Sequence, residues 1–204
     1  RCEWQTQEYY AQESAALTPE EFNRIHGNKW ASASQKFIPI QWWDNCLNPN
    51  IPPLRPGQGI VIALDAAVKS DSFGIIGLSK DLNPHGELVP TVRYVRKWDP
   101  PLGGKIRFSN PLDPDDRETP EGELRWLAKN HRTEAVPYDA TQLEEFVSRL
   151  SAIAFFEEFL QGKPRIVADK QLYDAIREGH IQHGGEPDLR DHLNNADASP
   201  EENK

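Results

Sequence analysis

The sequence predicts an α/β domain on a mixed sheet: three antiparallel strands in a meander, then parallel strands, flanked by helices. Three observations carry this. Apolar runs of strand length follow one another at short spacings between Gly59 and Trp98, as an antiparallel meander requires. A helix with its own start signal, Thr119-Pro-Glu-Gly-Glu-Leu-Arg-Trp-Leu-Ala128, then intervenes before a further apolar run ending at Tyr138. From there helical and extended patterns alternate, the order of strand–helix–strand units.

Residues 1–57 read as an arm ahead of that domain, and residues 58–204 as the domain itself. In the arm, Leu17-Thr-Pro-Glu-Glu-Phe22 opens a helix, with Thr18 at the N-cap, Pro19 in the first turn and Glu21 closing a capping box. That helix is expected to stop near Gly27-Asn28. Trp30, Phe37, Ile38, Ile40, Trp42 and Trp43 follow without a regular period, and such a set is expected to pack onto a neighbouring surface. Pro49, Pro52, Pro53 and Pro56 mark a linker.

The domain opens on Gly59-Ile-Val-Ile-Ala-Leu-Asp65, whose continuous apolar run predicts a central strand buried on both faces. Residues 72–79 and 89–98 give the next two strands. Residues 100–120 form a polar loop rich in Pro and Gly. The Thr119–Ala128 helix, with Pro at its first position, leads into the strand Glu134–Tyr138. A right-handed crossover through that helix sets this strand parallel to, and beside, the first. Residues 141–150 form the next helix. Phe155-Phe-Glu-Glu-Phe159 either continues it or forms a strand; periodicity leaves both open. Residues 171–177 are helical, and the remainder is loop with short helix.

Composition narrows the function. Hydrophobic content is 37%, low for a globular domain, in keeping with one core plus long loops and arms. No run approaches the roughly 18 apolar residues of a membrane span, and no secretory signal opens the chain. Cys2 and Cys46 have neither metal-type nor redox spacing, which points to a reducing, cytoplasmic compartment. With 32 acids against 23 bases the net charge is −9, which argues against broad wrapping of nucleic acid. An acidic metal site remains compatible with that balance, because bound cations neutralise it. The chain contains no methionine and ends in polar sequence at Asn203-Lys204, so a fragment of a longer protein is expected.

The chemistry centres on Asp65 and Asp139, which each close an apolar strand. Each also has an ordinary explanation: Asp65 as a turn cap, and Asp139, just before a helix, as an N-cap. On adjacent parallel strands, however, the two carboxylates meet at the carboxyl ends of the sheet, where ligand sites of open α/β sheets sit. Two converging carboxylates can hold a divalent metal and drive hydrolysis of a phosphodiester. Asp71, six residues after Asp65, is a further candidate ligand and also a plausible turn acid.

Other polar clusters carry less. Asp113, Asp115 and Asp116 lack calcium-loop spacing and read as a solvated loop. His180, His183 and His192 lack the partners of a closed zinc site and read as surface or phosphate-contacting residues. Lys163, Arg165, Lys170 and Arg177 form a local basic set, either DNA-phosphate contacts or a solvated helix face. No Walker-type Gly-x-x-x-x-Gly-Lys occurs.

Several of these stretches resemble one family. Leu17-Thr-Pro-Glu-Glu-Phe-Asn-Arg-Ile-His-Gly-Asn-Lys-Trp30 with Phe37-Ile-Pro-Ile-Gln-Trp-Trp-Asp44 resembles the segment that follows the ATPase motor in terminase large subunits of tailed bacteriophages. Ile62-Ala-Leu-Asp65, with Asp71 after it, is similar to the first acidic strand of that family's C-terminal nuclease domain. Tyr138-Asp-Ala-Thr-Gln142 is similar to its second acidic motif, commonly Tyr-Asp-Pro-x-Gln, with Ala140 in place of Pro. His183-Gly-Gly-Glu-Pro-Asp-Leu-Arg-Asp-His192-Leu-Asn-Asn195-Ala resembles a later stretch, with Lys204 as the lysine after it.

The resemblance implies a ribonuclease H-like fold and a two-metal endodeoxyribonuclease, cutting concatemeric double-stranded DNA during genome packaging. Asp65 and Asp139 match two of its three acids, with Mg²⁺ or Mn²⁺ as cofactor. The third acid is expected beyond Lys204, which would leave this fragment weakly active or inactive. Lys170, Arg177, His183 and Lys204 are the DNA-contact candidates. Implied partners are double-stranded DNA, the small terminase subunit, the capsid portal and an ATPase domain of the same polypeptide, in the host cytoplasm, with no membrane. The alternatives are a catalytically incomplete docking module for portal or motor, and another ribonuclease H-like nuclease such as a resolvase.

Overall fold

The structure, a computed structural model, describes residues 9–10, 35–66 and 72–198. The expected helix after Thr18, Trp30, and the site candidates Asp71 and Lys204 lie outside the described residues. In chain order the elements are β1 (Gln35–Lys36), α1 (Ile40–Asn45), β2 (Gly59–Ala66), β3 (Phe73–Leu82), β4 (Leu88–Trp98) and α2 (Pro120–Asn130). Then come β5 (Arg132–Tyr138), α3 (Ala140–Leu150), β6 (Phe156–Glu158), α4 (Lys163–Glu178), α5 (Pro187–Asn195) and β7 (Asp197–Ala198). Two compact units result. One comprises residues 1–37 and 196–204 and holds the short antiparallel pair of β1 with β7. The other runs from Ile38 to Asn195 and holds everything else.

The main sheet has the order β4-β3-β2-β5-β6. β2, β3 and β4 are antiparallel neighbours, while β5 lies parallel to β2 and β6 parallel to β5. This is the mixed meander-then-parallel sheet expected from the sequence. The residues around Phe156, ambiguous by period, form a strand because the backbone pairs there: the Val136 N–H donates to the Phe155 carbonyl, and the Phe159 N–H to that of Tyr138, both at 2.8 Å.

One face of this sheet makes the core. Ile60, Ile62 and Leu64 of β2, Phe73 and Ile75 of β3 and Val136 of β5 bury against Leu124 and Leu127 of α2 and Leu143, Phe146 and Leu150 of α3. Each such side chain contributes about 1.5–3 kcal/mol by leaving water. The expectation that β2 is buried on both faces is corrected here, since Val61 and Ala63 are only half-buried. Strand side chains alternate, and α2 and α3 cover one side only. Around Val61, Leu78, Lys80, Pro90 and Arg132 there is an open groove of about 490 Å³.

Helix ends follow local chemistry. Thr119 caps α2 by accepting from the Gly122 N–H, and Pro120 sits in the first turn, as its sequence required. Gly122 is needed for a different reason: a Cβ there would lie 2.1 Å from the Asp116 carbonyl oxygen, so the preceding turn fits only against a glycine. Asp116 is therefore no mere solvated acid. Its carboxylate accepts from Arg107, Asn110 and the Glu118 N–H, pinning the loop onto α2, whereas Asp113 and Asp115 are exposed. α4 begins well before the expected Gln171, because Gly162 and Pro164 can open a helix there. It stops at Gly179, whose left-handed φ of 71° suits glycine.

Beyond β4 the chain extends the sheet irregularly. The Val92 N–H donates to the Gln182 carbonyl at 2.9 Å, and the Gln182 N–H to that of Pro90 at 3.0 Å. Residue 183 in turn exchanges bonds with Cys46 and Asn48. Part of the apolar set that lacked a period finds its surface here. Trp43 is buried, and Trp42 meets Tyr173 of α4 edge to face at 5.6 Å.

Candidate functional site

β2 and β5 run in parallel with Leu64 opposite Tyr138. Each is followed by an aspartate: Asp65 is still within β2, and Asp139 follows the last residue of β5, so the two lie one residue beyond a paired position at the carboxyl ends. Neighbouring strands lie about 4.8 Å apart, so the two residues start from adjacent backbone positions. The core fixes the phase. Leu64 is buried among the helices, so alternation turns Asp65 the other way, into solvent. Its partner on β3 is Gly74, where an added Cβ would meet nothing within 4 Å, so the space beside Asp65 is open.

Asp139 is held differently. It is the N-cap of α3, with Oδ1 accepting the Thr141 N–H at 2.9 Å. Oδ2 accepts from Nε2 of Gln161 at 3.1 Å. The Thr141 backbone bond lowers its pKa most, followed by the Thr141 hydroxyl, Gln161 and the nearby Arg165 charge. Asp139 is thus a carboxylate throughout the neutral range. Its capping explanation and its availability to a cation are not exclusive, since each carboxylate oxygen has a second lone pair.

The donor set fits a hard divalent cation. Mg²⁺ typically takes one or two carboxylates and keeps several waters, and two adjacent aspartates, one of them solvent-exposed, offer that. Among the described residues no group of three or more His, Cys, Asp or Glu converges as a metal centre. Asp65 and Asp139 are the candidate pair for such a cation.

The remaining candidates separate. His183 is corrected: it is 3% exposed, not a surface or DNA-contacting residue. Its ring stacks on Trp43 at 4.0 Å and 8°, Nε2 donates to the Trp43 carbonyl at 2.9 Å, and Nδ1 accepts the Gly185 N–H at 3.1 Å. Both ring nitrogens are in use, so nothing remains for phosphate. Lys170 and Arg177 are exposed on α4, but both pair with Asp174, and Arg177 also with Glu178. Both readings open for them are compatible with these exposed ion pairs. Gln161 carried no signal in the sequence. It sits 22 residues from Asp139 and reaches it only because β6 returns beside β5.

No family model matches the sequence, and no curated protein matches it. Solved structures do. The large terminase of bacteriophage HK97 superposes with a TM-score of 0.60 over 93% of this chain and 43% of its own, at 16% identity. The large terminase nuclease of the thermophilic phage G20c, with bound magnesium, gives 0.54 over 81% of this chain and 82% of its own, at 11% identity. The chain has the ribonuclease H-like fold of large-terminase nuclease domains. A large terminase from another thermophilic bacteriophage, in complex with ATP-gamma-S, gives 0.52 over 87% of this chain and 41% of its own, at 11% identity. The chain thus spans less than half the length of these two large terminases, and matches most of the G20c nuclease. Among the described residues no helix is long and apolar enough to cross a membrane.

Proposed function

We propose that this chain is the nuclease part of a phage terminase large subunit, a metal-dependent endodeoxyribonuclease that cuts concatemeric double-stranded DNA during packaging. The observation that supports it is the register of β2 against β5, with Leu64 opposite Tyr138, each one residue before an aspartate, in a fold shared with terminase nucleases. Asp65 and Asp139 would hold Mg²⁺ or Mn²⁺, as the magnesium bound to the G20c nuclease suggests. Cations bound there supply an activated water and neutralise charge on the scissile phosphate. The chain's own contribution is orientation: α3 fixes Asp139 through its cap, while Asp65 stands exposed at the end of a strand locked into the core. Asp71 remains a further candidate ligand, and Lys170, Arg177 and Lys204 candidate phosphate contacts. For Lys170 and Arg177, DNA would have to draw the cations away from Asp174 and Glu178.

On this reading residues 1–57 are the arm that follows an ATPase domain and residues 58–204 the nuclease. The small subunit and the portal are its assembly partners in the host cytoplasm. Supercoiled plasmid incubated with Mn²⁺ tests the activity. Asp65→Asn and Asp139→Asn should each slow cutting by roughly a hundredfold or more, without loss of fold. The assay uses a chain extended past Lys204, and measurable cutting that is equal in the variants and the native form rejects the assignment.

A second reading keeps the fold without the chemistry, as a docking module for portal or motor. The net charge of −9 favours it, since an acidic surface repels DNA. Portal binding that survives both substitutions, in a protein that never cuts DNA with Mn²⁺, would select it.

A further inference from the structure

Gln161 lies on neither the sheet nor a helix. It follows β6, in the turn that leads to Gly162 and α4. Nevertheless it makes two directed contacts: Nε2 donates to Oδ2 of Asp139 at 3.1 Å, and Oε1 accepts from a terminal nitrogen of Arg165 at 3.2 Å. The two contacts agree on one orientation of the amide. Arginine has donors only, so the amide oxygen must face Arg165 and the NH₂ must face Asp139. The carboxylate accepts only and favours the same orientation; without Arg165 the amide loses its second anchor and can swing away from Asp139.

Asp139 is consequently gripped on both oxygens by neutral donors, Thr141 N–H on Oδ1 and Gln161 on Oδ2. Together they fix its side-chain torsions. Both donors are neutral, so the negative charge stays available to a cation. The bonds are exposed and contribute little to folding, because water replaces exposed hydrogen bonds at small cost. What they can do is restrict one carboxylate to one orientation beside Asp65.

We propose that Gln161 is a positioning residue for Asp139, and that Arg165 positions Gln161 in turn. This rests on the reading of Asp65 and Asp139 as the cation-binding pair. Outer partners of a ligating carboxylate orient it, and their loss typically costs 10–100-fold in metal affinity or activity. Arg165 acts through the orientation of the amide, so its effect depends on Gln161 being present.

The test is Mn²⁺ binding to the full chain by isothermal titration calorimetry, alongside plasmid cutting and thermal melting without metal. The variants are Gln161→Ala, Arg165→Ala, the double variant and Asp139→Asn. Gln161→Ala is expected to weaken Mn²⁺ binding and lower kcat about tenfold, leaving KM for DNA and the metal-free Tm unchanged. Arg165→Ala should give a smaller loss that disappears in the Gln161→Ala background. An Arg165 effect of equal size in both backgrounds means a direct charge effect and overturns the relay. Gln161→Ala binding Mn²⁺ as the native chain does, while Asp139→Asn does not, overturns the positioning role and leaves the pair standing. Native Mn²⁺ binding by Asp139→Asn removes the pair itself, and the proposal with it.

Discussion

Glu123 and Asp139 are both acids at helix starts, and the protein treats them in opposite ways. Glu123, in the first turn of α2, is fully buried. Arg117 grips it with two donors at 2.7 and 3.0 Å, and Arg96 and the Tyr94 hydroxyl close around it. Arg117 itself lies over the Trp126 ring at 3.8 Å. Asp139 is half-exposed, held by neutral donors and neighboured by a second, exposed carboxylate. Full charge compensation in a dry site makes Glu123 a structural strut with no capacity left. At the wet strand end Asp139 has only neutral donors on its oxygens, which is what the proposed cation role requires. The difference is in the partners and not in the residue.

The comparison breaks most visibly at Glu123. Glu123→Ala removes the charged hydrogen bonds that Arg96 and Arg117 make to it and should cost about 2–3 kcal/mol, read as a lower urea midpoint. His183→Ala should cost about 2 kcal/mol by the same measurement, because it leaves the Trp43 carbonyl unpaired and unstacks the indole. Its DNA affinity, by filter binding, should not change. A DNA-binding loss at native stability would return His183 to the contact surface.

Acid sharpens the contrast. Burial acts to raise the Glu123 pKa, but the bonds from Arg117 and Tyr94 and the charges of Arg117 and Arg96 outweigh it, and the net direction is down. A depressed folded pKa means stability that is present above the unfolded value, about 4.3, and lost as pH falls through the folded one. The stability gap between the native chain and Glu123→Gln should therefore hold at neutral pH and close below about pH 4. The smallest effect is at the cap. Asn caps a helix nearly as well as Asp, so Asp139→Asn should melt as the native chain does, while Asp139→Ala should lose about 1 kcal/mol. A large loss of stability in Asp139→Asn would make its charge structural, like that of Glu123.

Much of this was legible beforehand. Thr119-Pro120 announced the start of α2, and the spacing of apolar runs announced the meander, since caps and periods are local properties. Asp65 and Asp139 were visible as strand-end acids. The burial of His183 was not. Its neighbours in sequence are polar and glycine-rich, and its environment is Trp43, 140 residues away. Gln161 was invisible for the same reason, as was the open face of β2: an apolar run does not tell whether helices cover one side or two.

By itself the sequence determined the order of strands and helices, the caps, and which acids end strands, because each of these depends on residues within one or two turns. Tertiary structure decided which acids are enclosed by cationic partners and which are not. It set Leu64 against Tyr138, brought Gln161 back beside Asp139 and enclosed Glu123 between two arginines. Charge compensation depends on groups from distant parts of the chain, and only the folded chain brings them together.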